Sequence, residues 1–367
     1  MVIRNGTIEE FAAHVAGRSL YVYGVGNKAQ AFFDRFRDQV LNVFVTTAVD
    51  NNPVKQATGV VLGGKVLDVI SSKKLAEQVA GRSDVVVLLT MDAFWEPLQE
   101  MESNQAFAAA SCYIFRLLEM EEYAPDLYSS ALPEGALRER GEYLIPPILH
   151  YCWFGRGDMP ELAKKCMDSW RHYCPEFELK LWNEDNYDVT KNAYMWAAYQ
   201  AGKWAYVSDY ARVDVVNEYG GIYLDTDVEL LQPLDALRRE QAFAGYESET
   251  EVAFGLGFGS NSNNPALCDI LELYAHLPWD GGKKPCPYYQ SEVLEKHGLR
   301  RDNTFQRLDY MTILPVRCLC AKSISSRRER RYPETFSIHH FAGSWTEFSA
   351  EERQFRELRG RAIYGDW

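Results

Sequence analysis

Short apolar runs alternate with amphipathic segments along most of this chain, and that alternation restricts it to the α/β class. Residues 19–36 predict an apolar strand, a glycine turn at Gly24 and Gly26, and a helix with an aromatic face. Residues 84–90, DVVVLLT, form an uninterrupted apolar run, as in parallel strands that are covered on both faces. Residues 1–125 are therefore predicted to form a small Rossmann-like α/β domain.

A break in this pattern separates the first domain from a second one. Residues 126–144 contain Pro133, Gly135 and the charged stretch RERGE, which predict a linker. The chain has 367 residues, more than one hydrophobic core usually holds, so a second α/β domain is expected over 145–367. Its predicted helices and strands are helices over 161–172 and 193–219, and strands over 148–155, 177–183 and 220–230.

Charge and composition exclude some classes of partner. The formal net charge is −13 and the pI about 5.1, so the protein repels phosphate backbones and nucleic acid is not an expected partner. No apolar run reaches the roughly 18 to 20 residues of a membrane span, and the first residues lack a signal-peptide core. We expect a cytoplasmic protein with no membrane span, and leave peripheral membrane association open.

The most informative stretch ends in the sequence GGIYLDTDVEL. Two glycines end a helix and an apolar strand follows, so Asp225 and Asp227, two residues apart, are predicted to project to the same side. Neighbouring carboxylates repel each other unless a proton or a cation lies between them. Oxygen ligands of this kind suit Mg²⁺ or Mn²⁺, which an acidic protein also needs in order to bind an anionic nucleotide.

The surrounding residues extend this pair into a longer pattern. It consists of Ser-Asp, an arginine three residues after that aspartate, and Gly-Gly-x-Tyr-x-Asp-x-Asp, matched by Ser208, Asp209, Arg212, Gly220, Gly221, Tyr223, Asp225 and Asp227. The chain resembles the DxD sugar transferases of the glycosyltransferase family 32 type, which include capsular polysaccharide and initiating mannosyltransferases. The resemblance also covers residues 148–155 and 339–345.

The resemblance implies a GT-A-type domain after the Rossmann-like one. It implies a hexosyltransferase that uses Mn²⁺ or Mg²⁺, takes a UDP- or GDP-sugar as donor, retains the anomeric configuration and acts on a glycan or lipid-linked acceptor. Asp225, Asp227 and Arg212 are the implied catalytic residues, and Asp225 and Asp227 are also implied metal ligands. His340 is the third implied ligand, or His339 if the strand register differs by one residue.

The remaining implied residues bind the donor. Trp153 stacks on the base, while Asp209 and Arg212 hold sugar hydroxyls, with Ser208 and Tyr223 beside them. Ser344 and Trp345 match a loop that closes on the β-phosphate. Structural alternatives stay open, with Trp153 in the core, Arg212 in an ordinary ion pair, His340 as a structural histidine, and Ser344 and Trp345 merely capping and packing the C-terminal segment.

The first domain leaves two alternatives open. Gly24, Gly26 and Asp50 match part of a dinucleotide-binding fingerprint, but Ala29 replaces its third glycine, so nucleotide binding and a purely structural role both remain. An NAD-dependent oxidoreductase that acts on nucleotide sugars is the first alternative function. A non-catalytic nucleotide-sugar-binding protein is the second.

Overall fold

The chain divides into two compact units. The computed structural model describes residues 1–36, 45–122, 127–323 and 329–343, with residues 354–355, 357–358 and 360–362 of a C-terminal helix. The first unit comprises Met1–Pro125, Ser325–Arg327 and Phe348–Trp367, and the second comprises Asp126–Ile324 and Arg328–Glu347. Leu358 and Ala362, which lie in the range 145–367 predicted for the second domain, are buried in the core of the first unit.

The first unit is a parallel sheet with helices between its strands. The strands are β1 (Val2–Arg4), β2 (Ser19–Tyr23), β3 (Val45–Val49), β4 (Val60–Leu62), β5 (Lys65–Leu67), β6 (Val69–Ile70), β7 (Val85–Leu89) and β8 (Ser111–Ile114). The helices are α1 (Ile8–Val15), α2 (Asn27–Arg35), α3 (Pro53–Thr58), α4 (Ser72–Val79), α5 (Trp95–Ser103) and α6 (Phe115–Glu122). Six strands follow the order β1-β8-β7-β2-β3-β6, and β4 and β5 form a separate hairpin.

Both faces of this sheet are covered, as its apolar strands predict. Along β7, Val85, Val87 and Leu89 pack into one core cluster, and Val86 and Leu88 pack into another on the opposite face. Every pairing along the six-stranded sheet is parallel. The α/β class predicted for this unit is confirmed.

The second unit is a mixed sheet surrounded by helices. Its strands are β9 (Ile148–Cys152), β10 (Glu178–Trp182), β11 (Gly221–Tyr223), β12 (Val228–Leu230), β13 (Ala242–Tyr246), β14 (Val252–Ala253), β15 (Phe258–Ser260), β16 (Gln306–Arg307), β17 (Thr312–Leu314) and β18 (Ser337–His339). Its helices are α7 (Glu161–Tyr173), α8 (Ala193–Gln200), α9 (Trp204–Tyr219), α10 (Pro265–His276), α11 (Cys286–Glu295) and α12 (Val316–Leu319). The α/β class is confirmed here too.

The sheet topology of the second unit brings chain segments together at one edge. The order is β10-β9-β11-β15-β13-β17-β16, with β14 paired to β13. β9, β10 and β11 run parallel, so their carboxyl ends lie at the same edge, where ligands bind in open α/β sheets. A separate antiparallel pair, β12 and β18, follows β11 in the chain.

The segment proposed as a linker contributes to the second unit. Residues 127–144 form no helix or strand, yet Leu127 and Tyr128 are buried in its core. The Tyr128 hydroxyl donates to the Cys320 carbonyl at 3.2 Å, so this segment is tied to the folded unit. Among the described residues, no helix combines the length and apolar character that crossing a membrane requires.

Candidate functional site

Two aspartates and a histidine converge where the chain leaves β11. Ligand atoms of Asp225, Asp227 and His339 all lie within 4.8 Å of one another. Asp227 Oδ1 is 3.2 Å from His339 Nε2, and the Tyr223 hydroxyl donates to Asp225 Oδ1 at 2.8 Å. Two carboxylates and one imidazole at this spacing fit a divalent cation.

The two aspartates lie in a turn, which corrects the prediction of one continuous strand over 220–230. The chain leaves the sheet after Tyr223 and resumes as β12 at Val228. A hydrogen bond from Val228 N to Asp225 O, 3.0 Å long, closes the turn. The turn, rather than the alternation of an extended strand, brings the carboxylates of Asp225 and Asp227 together.

The structure places His339, and not the predicted ligand His340, beside the aspartates. β18 pairs with β12 so that His339 lies opposite Val228, next to Asp227. Adjacent residues of a strand point to opposite sides, and His340 Nε2 instead lies 2.8 Å from Glu229 Oε2. That carboxylate is also 2.9 Å from Lys165 Nζ, so His340 belongs to a separate surface network.

The Asp227–His339 pair is electrostatically coupled. Burial alone would raise the pKa of Asp227, but the charge of His339 and a 2.8 Å hydrogen bond from Ala342 N lower it. Burial alone would lower the pKa of His339, and Asp227 raises it. A protonated imidazole would act as counter-charge to the carboxylates, a role that a bound cation would take over.

A buried arginine connects this cluster to a third carboxylate. Arg212 and Asp209 lie one turn apart on α9, and Arg212 Nη2 is 2.8 Å from Asp209 Oδ1 and 3.6 Å from Asp225 Oδ1. Burial raises the pKa of Asp209, and Arg212 opposes that shift. Burial would lower the pKa of Arg212, but Asp225 and its other anionic neighbours raise it well above its ordinary value. The guanidinium thus stays charged between two acids.

Gly255 lies beside Asp225 and Arg212, and the sequence alone did not identify it as a site residue. Asp225 N donates to the Gly255 carbonyl at 3.3 Å. A Cβ atom on Gly255 would lie 2.5 Å from Asp225 Oδ2 and 3.0 Å from Arg212 Nη1. A side chain at Gly255 would therefore displace the acid or the guanidinium from this arrangement.

Glu247 is a second residue that the sequence did not indicate. It follows β13 directly, and Asp225, Arg212 and His339 all act electrostatically on its carboxyl group. Burial, Glu251 and Asp225 raise its pKa, while His339 and Arg212 oppose the rise. Its position after an ordinary apolar strand carries no motif, so only the fold reveals it.

Two other predicted donor-binding residues, Trp153 and Ser208, lie after the carboxyl end of β9 and on α9. Trp153 is half-buried, and its indole N–H donates to the Gly157 carbonyl at 2.6 Å. The thiol of Cys152, the preceding residue, contacts the side chains of Tyr223 and Ser208. Ser344 and Trp345 lie outside the described residues, so their predicted loop is not placed.

The glycine turn of the first unit has a packing explanation. A Cβ atom on Gly24, at φ +94°, would lie 2.6 Å from the Met91 side chain. Asp50 Oδ2 is 2.6 Å from Lys55 Nζ, and its Oδ1 accepts from Asn52 N at 2.9 Å. Both Asp50 oxygens are thus bonded within the unit, which favours the structural alternative for this partial fingerprint.

Comparison with known proteins agrees with the sequence pattern. Residues 160–244 match the family model described as the glycosyltransferase sugar-binding region containing the DXD motif. This segment includes Ser208, Asp209, Arg212 and both aspartates of the turn. The resemblance predicted from the sequence is confirmed.

Two yeast proteins match over part of their length. Inositol phosphoceramide mannosyltransferase 3 of Schizosaccharomyces pombe is 28% identical over 142 residues, 36% of this chain and 37% of that protein. Mannosyl phosphorylinositol ceramide synthase CSH1 of Saccharomyces cerevisiae is 28% identical over 141 residues, 36% of each chain. The match therefore spans little more than a third of these relatives.

One solved structure also matches in part. PaToxG Glycosyltransferase is 19% identical, with a TM-score of 0.33 over 41% of this chain and 69% of that one. A likeness of this size adds no argument about the fold or the site.

Proposed function

We propose that this protein transfers a hexose from a nucleotide-sugar donor in a reaction that depends on a divalent metal. The observation that carries the proposal is the cluster of Asp225, Asp227 and His339, joined through Arg212 to Asp209. The sugar-binding family model supports the chemistry, and the mannosyl group in the names of both yeast relatives supports a hexose.

The donor atoms favour Mn²⁺ as the ion. Asp225, Asp227 and His339 offer two carboxylates and an imidazole nitrogen, whereas Mg²⁺ binds oxygen ligands almost exclusively. When bound, the ion would neutralise charge on the leaving diphosphate as a Lewis acid. The turn, β18 and the buried surroundings hold the three side chains in place before the donor arrives.

The remaining site residues are assigned to the sugar and the departing charge. The Asp209 carboxylate accepts hydrogen bonds from sugar hydroxyls, and Arg212, charged and buried, faces the phosphate oxygens that gain charge. Trp153 stacks on the nucleotide base. Tyr223 keeps Asp225 oriented through its 2.8 Å hydrogen bond.

We further propose that the anomeric configuration is retained without a covalent intermediate. Asp209 is bonded to Arg212, and Asp225 is held by Tyr223 and faces Arg212, so neither carboxylate is a free nucleophile. A front-face departure and attack needs no such nucleophile. Detection of a glycosylated aspartate by mass spectrometry would contradict this route.

The acceptor proposal follows the relatives. Both yeast proteins are named for ceramide-based lipids, so a glycan or lipid-linked hydroxyl is the acceptor class proposed for this chain. Action in the cytoplasm, with the acceptor presented there, completes the proposal.

Isothermal titration tests the donor half of this function. We expect the parent protein to bind Mn²⁺, and then to bind UDP or GDP and one of their hexose conjugates more tightly than it does without metal. Asp227→Asn removes the charge of one metal ligand, so it should abolish the gain in nucleotide affinity that Mn²⁺ gives the parent protein. Asp168→Asn, on the exposed face of α7, is the control and should bind as the parent does. Equal nucleotide binding with and without metal, or an unaffected Asp227→Asn variant, would contradict the proposal.

A further inference from the structure

The Asp209 carboxylate is surrounded by more polar groups than Arg212 alone. Asp209 is only 5% exposed, and burial raises the pKa of its carboxyl group, while the thiol of Cys286, the first residue of α11, lies close enough to oppose that larger effect. Residue Cys286 as a whole is partly exposed, while burial raises the pKa of its thiol well above the ordinary value. Two different helices, α9 and α11, thus meet at one acid.

A third helix brings a hydroxyl to the same place. Tyr274 of α10 is 0% exposed, and its hydroxyl lies near enough to Asp209, Cys286 and Arg212 for all three to affect its pKa, which burial raises most. Edge-to-face contacts with Tyr194 and Tyr210, with ring centroids 5.2 and 5.9 Å away, hold its ring.

The Tyr274 hydroxyl has no hydrogen-bond partner among the described residues. A buried hydroxyl without a partner is unfavourable, and native proteins leave few of them. By contrast, the nearby Tyr206 hydroxyl donates to the Gly282 carbonyl at 2.8 Å.

The charges of the pocket indicate which part of a ligand would satisfy this hydroxyl. Asp209 and the neighbouring Asp225 are both acidic, and Arg212 is already paired with them, so the hydrogen-bonding capacity left beside Tyr274 suits donor groups better than a further anion. A neutral ring that carries several hydroxyls can donate to Asp209 and exchange a hydrogen bond with Tyr274. That description fits the sugar of a nucleotide sugar and does not fit its diphosphate.

We infer that Tyr274 and Cys286 complete the sugar end of the donor site, with Tyr274 as a sugar-binding residue and Cys286 as a positioning residue for Asp209. The inference rests on the proposed function and adds residues from α10 and α11 to it. The Cys286 thiol keeps the carboxylate in place, and the Tyr274 hydroxyl gains its missing hydrogen bond when the sugar enters.

The test compares each nucleotide sugar with its own nucleoside diphosphate. Isothermal titration in Mn²⁺ gives the affinity of UDP-glucose relative to UDP and of GDP-mannose relative to GDP, so base and phosphate contacts cancel. Tyr274→Phe should lower this ratio about tenfold for the sugar that binds, while the bare diphosphate binds as before. Its stability in urea should not fall, because the removed hydroxyl has no hydrogen-bond partner within the described parts of the chain.

Tyr206→Phe is the matched control. It removes a hydroxyl that is already bonded, so it should lower stability and leave the affinity ratio unchanged. An unchanged ratio in Tyr274→Phe, or equal weakening of sugar and bare diphosphate, would overturn the role of Tyr274.

Conservative replacement tests the positioning role. Cys286→Ala should lower the affinity ratio about fivefold, and Cys286→Ser, which keeps a donor, should restore it. Cys268→Ala, at an exposed cysteine of α10, should have no effect. Failure of serine to restore the ratio would overturn this role.

A parent protein that binds neither nucleoside diphosphates nor nucleotide sugars would contradict the proposed function together with the inference. Normal binding of the diphosphate with no effect of the variants on the affinity ratio would contradict the inference alone.

Discussion

Replacing His339 by alanine, with His340→Ala for comparison, tests which of the two adjacent histidines belongs to the metal site. At 3.2 Å and an effective dielectric of about 20, the attraction between charged His339 and Asp227 is about 5 kcal/mol. Both side chains are at least four-fifths buried, so the cost of desolvating them offsets part of this attraction. We expect His339→Ala to lower the free energy of unfolding by about 3 kcal/mol. His340→Ala removes one hydrogen bond to Glu229, worth about 1 kcal/mol.

The stability difference between the parent protein and His339→Ala depends on pH, because both members of the pair titrate. The pKa of His339 is raised, so its contribution is complete below the ordinary value of 6.5 and is lost as pH rises through the raised value. The pKa of Asp227 is lowered, so its contribution is present above 3.8 and is lost as pH falls through the lowered value. The difference from the parent should thus be largest between pH 3.8 and 6.5.

Two assays on the same pair of variants test this prediction. Urea unfolding of metal-free protein across pH measures the stability difference, and titration with Mn²⁺ at pH 7.5 measures the metal affinity. His339→Ala should weaken Mn²⁺ binding by about 100-fold or more, while His340→Ala should bind as the parent does. Loss of metal binding in His340→Ala with normal binding in His339→Ala would refute the assignment.

Two further predictions concern the neighbourhood of the metal cluster. Gly255→Ala should abolish nucleotide-sugar turnover, because its Cβ would lie 2.5 Å from an Asp225 oxygen, whereas Gly157→Ala meets nothing within 4 Å and should be active. Nucleotide release measures the turnover of both variants. An active Gly255→Ala variant would contradict the packing argument. Arg212→Met leaves Asp209 buried without its cation, which should cost about 3 to 5 kcal/mol in urea unfolding at pH 7. Asp209→Asn in the Arg212→Met background should recover part of that loss, and no recovery would show that charge burial is not its cause.

The sequence predicts the fold class because the spacing of apolar residues shows which faces of the strands and helices are buried. Every residue from Val85 to Leu89 is buried, with side chains alternating between two core clusters, as a continuous apolar run between two covered faces predicts. Asp225 and Asp227 are also identified from sequence, since their spacing and the family pattern are local. The break of their strand at Leu224 is not, because a turn within an apolar-to-acidic stretch leaves no glycine or proline signal.

Residues that reach the site through long-range pairing are the ones that the sequence leaves undecided. The choice between His339 and His340 depends on the register of β18 against β12, and a shift of one residue exchanges the two side chains. Gly255 acts through a close approach that only coordinates reveal. Tyr274 and Cys286 come from helices whose apolar and aromatic pattern reads as ordinary core.

The dependence of nucleotide release on metal tests the central claim most directly. Release of the nucleoside diphosphate from a nucleotide sugar is followed before chelation, after exhaustive chelation, and after Mn²⁺ is added back, with elemental analysis of each sample. The proposed site predicts that release stops on chelation, returns with Mn²⁺, and fails to return in Asp227→Asn. Full release from a protein in which no cation is detected would contradict it.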